Sequence, residues 1–128
     1  MGYRSDVAYA VHGNAEAFAK FKEVFETELN SLNSEVRANV DELINSSEYE
    51  TNRKLFVDTS FVFYATSVKW YDTYLAVQFF DRIFDQGEAL ELTGELAIIG
   101  EDMNDTEYWS YGPEPSVLNI TREIVINI

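Results

Sequence analysis

The chain of 128 residues predicts one domain, long enough to bury roughly two-thirds of its unfolded surface. At 46% hydrophobic and 15% aromatic it is not a disordered composition, and the absence of cysteine excludes disulfides, thiolate zinc sites and cysteine nucleophiles. The formal net charge of −14, with nine Lys and Arg scattered along the chain, opposes direct binding to a phosphate backbone.

No stretch approaches the ~18 uninterrupted apolar residues of a membrane span. The start, MGYRSDVAYAV, lacks the apolar region and small-residue cleavage site of a signal peptide. Asp6 stands where N-myristoylation of Gly2 requires Ser or Thr. The sequons at Asn45, Asn104 and Asn119 then read as chance matches, and the expected location is the cytoplasm.

In chain order, Val7, Tyr9 and Val11 alternate with Ala8, Ala10 and His12, which predicts a first strand ended by Gly13. Asn14 follows as a helix N-cap, with Glu16 in the first turn. Phe18, Phe21, Phe25, Leu29 and Leu32 form the apolar face of a helix over 15–31. A second helix starts near Ser34, with Val36, Val40, Leu43 and Ile44 as its stripe. Beyond the polar stretch 44–52, strands are expected at 54–58 and 61–70 around an Asp58-Thr59-Ser60 turn.

Asp72 is the expected N-cap of a third helix, whose apolar face is Ala76, Phe79, Phe80, Ile83 and Phe84 and whose stop is Gly87. ALELTGELAIIG then reads as a strand with a turn or bulge at Gly94. Gly100–Pro113 reads as an acidic, aromatic loop, and SVLNITREIVINI as a strand with one apolar and one wet face. The order β-α-α-β-β-α-β-β predicts an α+β two-layer sandwich of ferredoxin-like type, with a mainly antiparallel sheet and helices on one face.

The acidity is uneven. Between Arg82 and Arg122 there is no basic residue, while Asp85, Glu88, Glu91, Glu95, Glu101, Asp102, Asp105, Glu107 and Glu114 all fall there. An EF-hand loop begun at Asp102 fails, since Glu107 stands where glycine is required and Pro113 where glutamate is. A looser calcium or magnesium site from Glu101, Asp102 and Asp105 stays open, but one histidine and no cysteine give zinc poor support. No nucleophile elbow, phosphate loop or dinucleotide fingerprint is present, so no catalytic residue and no cofactor is expected.

Three stretches, MGYRSDVAYAV, VKWYDTY (Val68–Tyr74) and AIIGEDMNDTEYW (Ala97–Trp109), resemble a family of small bacteriophage and prophage proteins. The resemblance covers most of the chain and assigns no activity to any residue. It implies a phage origin and, by association, a role in host takeover or defence evasion inside the host cell.

Two readings of function follow. The first is a non-enzymatic acidic interaction protein that inhibits a host nucleic-acid-binding defence complex (anti-CRISPR or anti-restriction) by presenting a nucleic-acid-mimicking surface to its basic groove. Its expected contacts are Glu95, Glu101, Asp102, Asp105, Glu107, Tyr108, Trp109 and Tyr111, acids interleaved with the amphipathic aromatics of protein interfaces. The bland alternative is that the acids serve solubility alone. The second reading is a small-molecule or nucleotide pocket near the strand ends, lined by Tyr9, His12, Trp70 and Tyr71. A homodimer paired through the aromatics is a third option.

Overall fold

The computed structural model describes residues 4–45, 56–101, 105–120 and 124–126. They form β1 (Ser5–His12), α1 (Ala15–Asn30), α2 (Ser34–Asn45), β2 (Phe56–Val57), β3 (Ser60–Val68), α3 (Leu75–Ala89), β4 (Thr93–Gly100), β5 (Thr106–Tyr111), β6 (Leu118–Ile120) and β7 (Ile124–Ile126). The architecture is the expected α+β sandwich. A five-stranded sheet in the order β2-β3-β1-β4-β5 is antiparallel at every pairing, and its helices cover one face.

Two helices separate β1 from the β2–β3 hairpin, whose second strand, β3, pairs antiparallel with β1. One helix, α3, separates β3 from β4, and both of these flank β1 antiparallel, hence parallel to each other. That is the split β-α-β unit of ferredoxin-like sandwiches. It lays α3 across the sheet.

The main core lies between sheet and helices. Val7, Tyr9 and Val11 of β1 meet Phe61 and Phe63 of β3, Phe18, Phe21 and Phe25 of α1, and Phe79, Phe80 and Ile83 of α3. These rings contact at centroid distances such as 4.6 Å for Phe63–Phe80 and 5.6 Å for Phe25–Phe79. The outer face of the sheet is also covered. Ala8, Ala10, Ala97 and Ile99 form a second cluster there with Leu118, so the small residues of β1 accept a chain segment lying directly on the sheet.

α1 starts as expected, with the Asn14 side chain accepting from the Ala17 N–H at 2.8 Å. Asp58 occupies the left-handed region (φ 52°) in the turn between β2 and β3. α3 differs from the expectation at both ends. Tyr74 sits at its N-cap position, because the Tyr74 N–H closes a turn onto the Tyr71 carbonyl (2.9 Å) and holds Asp72 outside the helix. Gly87 lies inside the helix, not at its end. The helix closes with Leu92 N–H to Gly87 O (3.0 Å) and Glu91 N–H to Glu88 O (3.0 Å), a Schellman arrangement with Glu91 in the left-handed position (φ 61°).

Two further expectations are corrected. The stretch read as a loop between Gly100 and Pro113 contains β5, which pairs with β4 from Gly94↔Tyr111 to Ile99↔Thr106. Gly94 is thus inside a regular strand. The C-terminal stretch read as one strand is a β6–β7 pair, with Leu118 opposite Ile126; strict alternation persists through a hairpin, so it does not by itself distinguish one strand from two.

Candidate functional site

β5 ends the sheet beyond β4, and α3 packs over β4 and β1. Successive side chains of a strand point to opposite faces. Glu107, Trp109 and Tyr111 therefore stand opposite Ile98, Leu96 and Gly94 on the helix side, while Tyr108 and Ser110 stand with Ala97 and Glu95 on the outer side. Between the helix-side row of β5 and the flank of α3 runs an open groove of about 870 Å³.

The α3 wall is Val77, Asp81, Phe84, Asp85 and Glu88, one stripe of the helix at spacings of four, three, one and three. Trp70, Tyr71 and Asp72 close one end, and Glu107, Trp109 and Tyr111 form the strand wall over Leu96 and Ile98. Among the described residues, five carboxylates thus line the groove beside four aromatic residues with polar edges, and no Lys, Arg or His does. Arg82 lies 3.9 Å from Glu28 of α1 instead. Among the described residues no three acids converge closely enough to hold a metal ion, so the negative charge is spread along the groove.

Tyr111 locks the groove floor. Its hydroxyl donates to the Phe84 carbonyl at 2.5 Å and its ring lies 4.8 Å from that of Phe84. A Cβ at Gly87 would meet the Tyr111 hydroxyl at 2.2 Å, and one at Gly94 would meet the ring at 2.3 Å. Both glycines serve close approach, one on the helix and one on the strand. Burial and the charges of Glu88 and Asp85 push the Tyr111 phenol well above its ordinary range.

Asp81 is held from inside the core. The buried Tyr9 hydroxyl donates to Asp81 Oδ1 at 2.7 Å, and the Tyr9 ring lies 6.1 Å from Trp70. Burial raises the Asp81 carboxyl above its ordinary value; the Tyr9 hydrogen bond opposes the rise, and the negative charges of Asp85 and Asp72 reinforce it. Tyr9 itself is pushed well up by burial and by the charge of Asp81.

The two sets of residues singled out in the sequence are redistributed. Glu107, Trp109 and Tyr111 of the acidic set share the groove with Trp70 and Tyr71 of the strand-end set. His12 lies at the other end of β1, opposite Ser60 and Thr93, about 23 Å from the Ser5 end where β3 runs on toward Trp70. Its Nε2 is buried and finds no hydrogen-bond partner among the described residues. Tyr9 underlies the groove and does not line it.

Glu95 is only 2% exposed and so does not offer its charge to a partner. It accepts from the Tyr108 hydroxyl (2.6 Å), the Val117 N–H (2.6 Å) and the Ser116 hydroxyl, fastening the segment after β5 to the outer face of the sheet. Burial opposes its ionisation, but the hydrogen bonds from Ser116, Tyr108 and the backbone outweigh that and hold its carboxyl below the ordinary value. Burial and the Glu95 bond raise the Tyr108 phenol.

Glu101 accepts from the Arg4 N–H at 2.6 Å near the tip of the β4–β5 hairpin, and Asp105 returns its carbonyl to the Gly100 N–H at 2.7 Å. Asp102 lies outside the described residues. The acids of α3 were not expected as site residues, although Asp81, Asp85 and Glu88 share one helical stripe beside the apolar face. Comparison with known protein families, curated proteins and solved structures finds no match to this chain, so the groove's own chemistry carries the functional reading.

Proposed function

We propose that this chain is a non-catalytic interaction protein whose acidic groove between α3 and β5 receives a basic partner. The observation that carries the reading is the groove itself: carboxylates from three separate segments line it beside the exposed Trp109 and the half-buried Trp70, Tyr71 and Tyr111, with no cation among the described residues that line it. Such a surface steers a positively charged partner and excludes an anionic one. Aromatic faces beside carboxylates suit Arg, which stacks as well as pairs.

The partner class that fits is a basic nucleic-acid-binding protein. The resemblance to phage and prophage proteins supports a host nuclease or defence complex in that role, blocked as the acidic surface occupies its basic channel. The small-ligand reading narrows on the same ground. Trp70 and Tyr71 do line the groove, but its charge repels nucleotides and favours organic cations.

The test compares two charge reversals of equal size. Asp85→Lys with Glu88→Lys alters the exposed α3 wall of the groove, and Glu23→Lys with Glu26→Lys alters exposed positions on α1. Binding of an Arg-rich peptide should be steeply salt-dependent in the parent chain, lost in the α3 pair and retained in the α1 pair. Equal losses in both would leave net charge as the whole effect and sink the reading.

A further inference from the structure

β5 presents an open edge as well as a wall of the groove. Among the described residues it is last in the sheet order and pairs only with β4, and Thr106 through Ser110 are all exposed. An unpaired edge is a template for another strand. Here the edge borders the groove, so a strand laid against β5 would send alternate side chains to the groove side. Those side chains would meet Glu107, Trp109 and the α3 acids Asp85 and Glu88.

We infer that the partner binds by strand addition: an extended basic segment pairs with the free edge of β5 as a sixth strand and places alternate Arg or Lys side chains over the groove. The inference rests on the reading of the groove as an acceptor for a basic partner, and it adds the binding mode and periodicity. β5 has six residues, about 20 Å, so the pairing segment is about six residues long and contributes about three side chains to the groove side. A second copy of this chain is a poor occupant of the edge. It would bring another Glu107 and another strongly negative surface against the first.

The test uses the unaltered protein and a short peptide alternating Arg and Thr, in three forms: unmodified, and with every second backbone nitrogen methylated in either of the two phases. Fluorescence anisotropy reads affinity, and amide exchange reads β5. In the expected result one methylation phase weakens binding at least about tenfold, the other leaves it near that of the unmodified peptide, and alternate β5 amides exchange more slowly with peptide bound. If both phases bind as the unmodified peptide does with the same steep salt dependence, strand addition is overturned and the acidic-groove reading survives. If the unmodified peptide shows no salt-dependent binding, both fall. A concentration-dependent dimer with β5 amides protected before peptide is added would put a second copy on the edge and also overturn the inference.

Discussion

The Tyr9 hydroxyl, at the centre of the sheet, donates to Asp81 Oδ1 at 2.7 Å and so fixes a groove carboxylate from within the core. Tyr9 lies among Phe63, Trp70, Phe80 and Phe84, with centroid distances from 5.7 to 6.3 Å. Tyr9→Phe keeps that packing and removes the bond alone. It should cost about 1.5–3 kcal/mol in chemical denaturation, as expected for a lost hydrogen bond to a charged group. The Asp81 carboxyl should then titrate higher still, since the bond that opposed its rise is gone; carboxyl NMR reads this directly.

Asp81 also sets a sign for the pH dependence. Its carboxyl in the folded chain sits above the ordinary 3.8, so folding favours the protonated form. The destabilising contribution is absent below that ordinary value and grows as pH rises through the raised one. Asp81→Asn preserves an acceptor for Tyr9 and removes the charge. It should therefore raise Tm at neutral pH and flatten the fall in stability just above the ordinary carboxyl range; a lower Tm at neutral pH would contradict this.

Glu95 has the opposite sign. Its folded value lies below the ordinary 4.5, so its contribution is present above that value and is lost as pH falls through the folded one. Glu95→Gln should cost about 1–3 kcal/mol, because a buried acceptor of three hydrogen bonds loses its charge. Exchange at the Val117 amide should accelerate. Binding of an Arg-rich peptide should be unchanged, since Glu95 faces away from the groove, whereas Glu107→Lys should weaken it.

Gly87 and Gly94 should respond to alanine as a pair joined by Tyr111. In an open helix Gly→Ala gains about 1 kcal/mol. At Gly87 the new Cβ meets the Tyr111 hydroxyl at 2.2 Å and Val11 at 2.9 Å, and overpacking of this kind costs about 1–3 kcal/mol. The net effect should be destabilising. Tyr111→Phe should recover part of the loss in Gly87→Ala but little in Gly94→Ala, where the ring carbons themselves are the obstacle at 2.3 and 2.7 Å. A double-mutant cycle with thermal unfolding measures both couplings.

Glu91→Gly should stabilise the fold. Glu91 holds a left-handed conformation (φ 61°) that costs a non-glycine residue about 1 kcal/mol, and its charge sits at the negative end of α3. A gain of about 1 kcal/mol in denaturant unfolding is expected, with peptide binding unaltered because Glu91 does not line the groove.

The sequence by itself determined the elements from β1 to β4 and much of the core. A period near 3.6 in Phe18, Phe21, Phe25 and Leu29, and alternation in Val7, Tyr9 and Val11, place the same residues on the inner faces that the structure buries. It also marked Glu107, Trp109 and Tyr111, and separately Trp70 and Tyr71, without indicating that they meet. That meeting was decided by the tertiary structure, because it depends on the β4–β5 register and on the path of α3, neither of which leaves a local pattern. Tyr108 and Trp109 show the reason most clearly. They are adjacent in the chain and looked like one patch, yet the pleat sends Tyr108 to Glu95 on the outer face and Trp109 to the groove. Gly87 misled for a related reason: a glycine near a helix end has two physical uses, and only the approach of Tyr111, 24 residues later in the chain, selects close contact over termination.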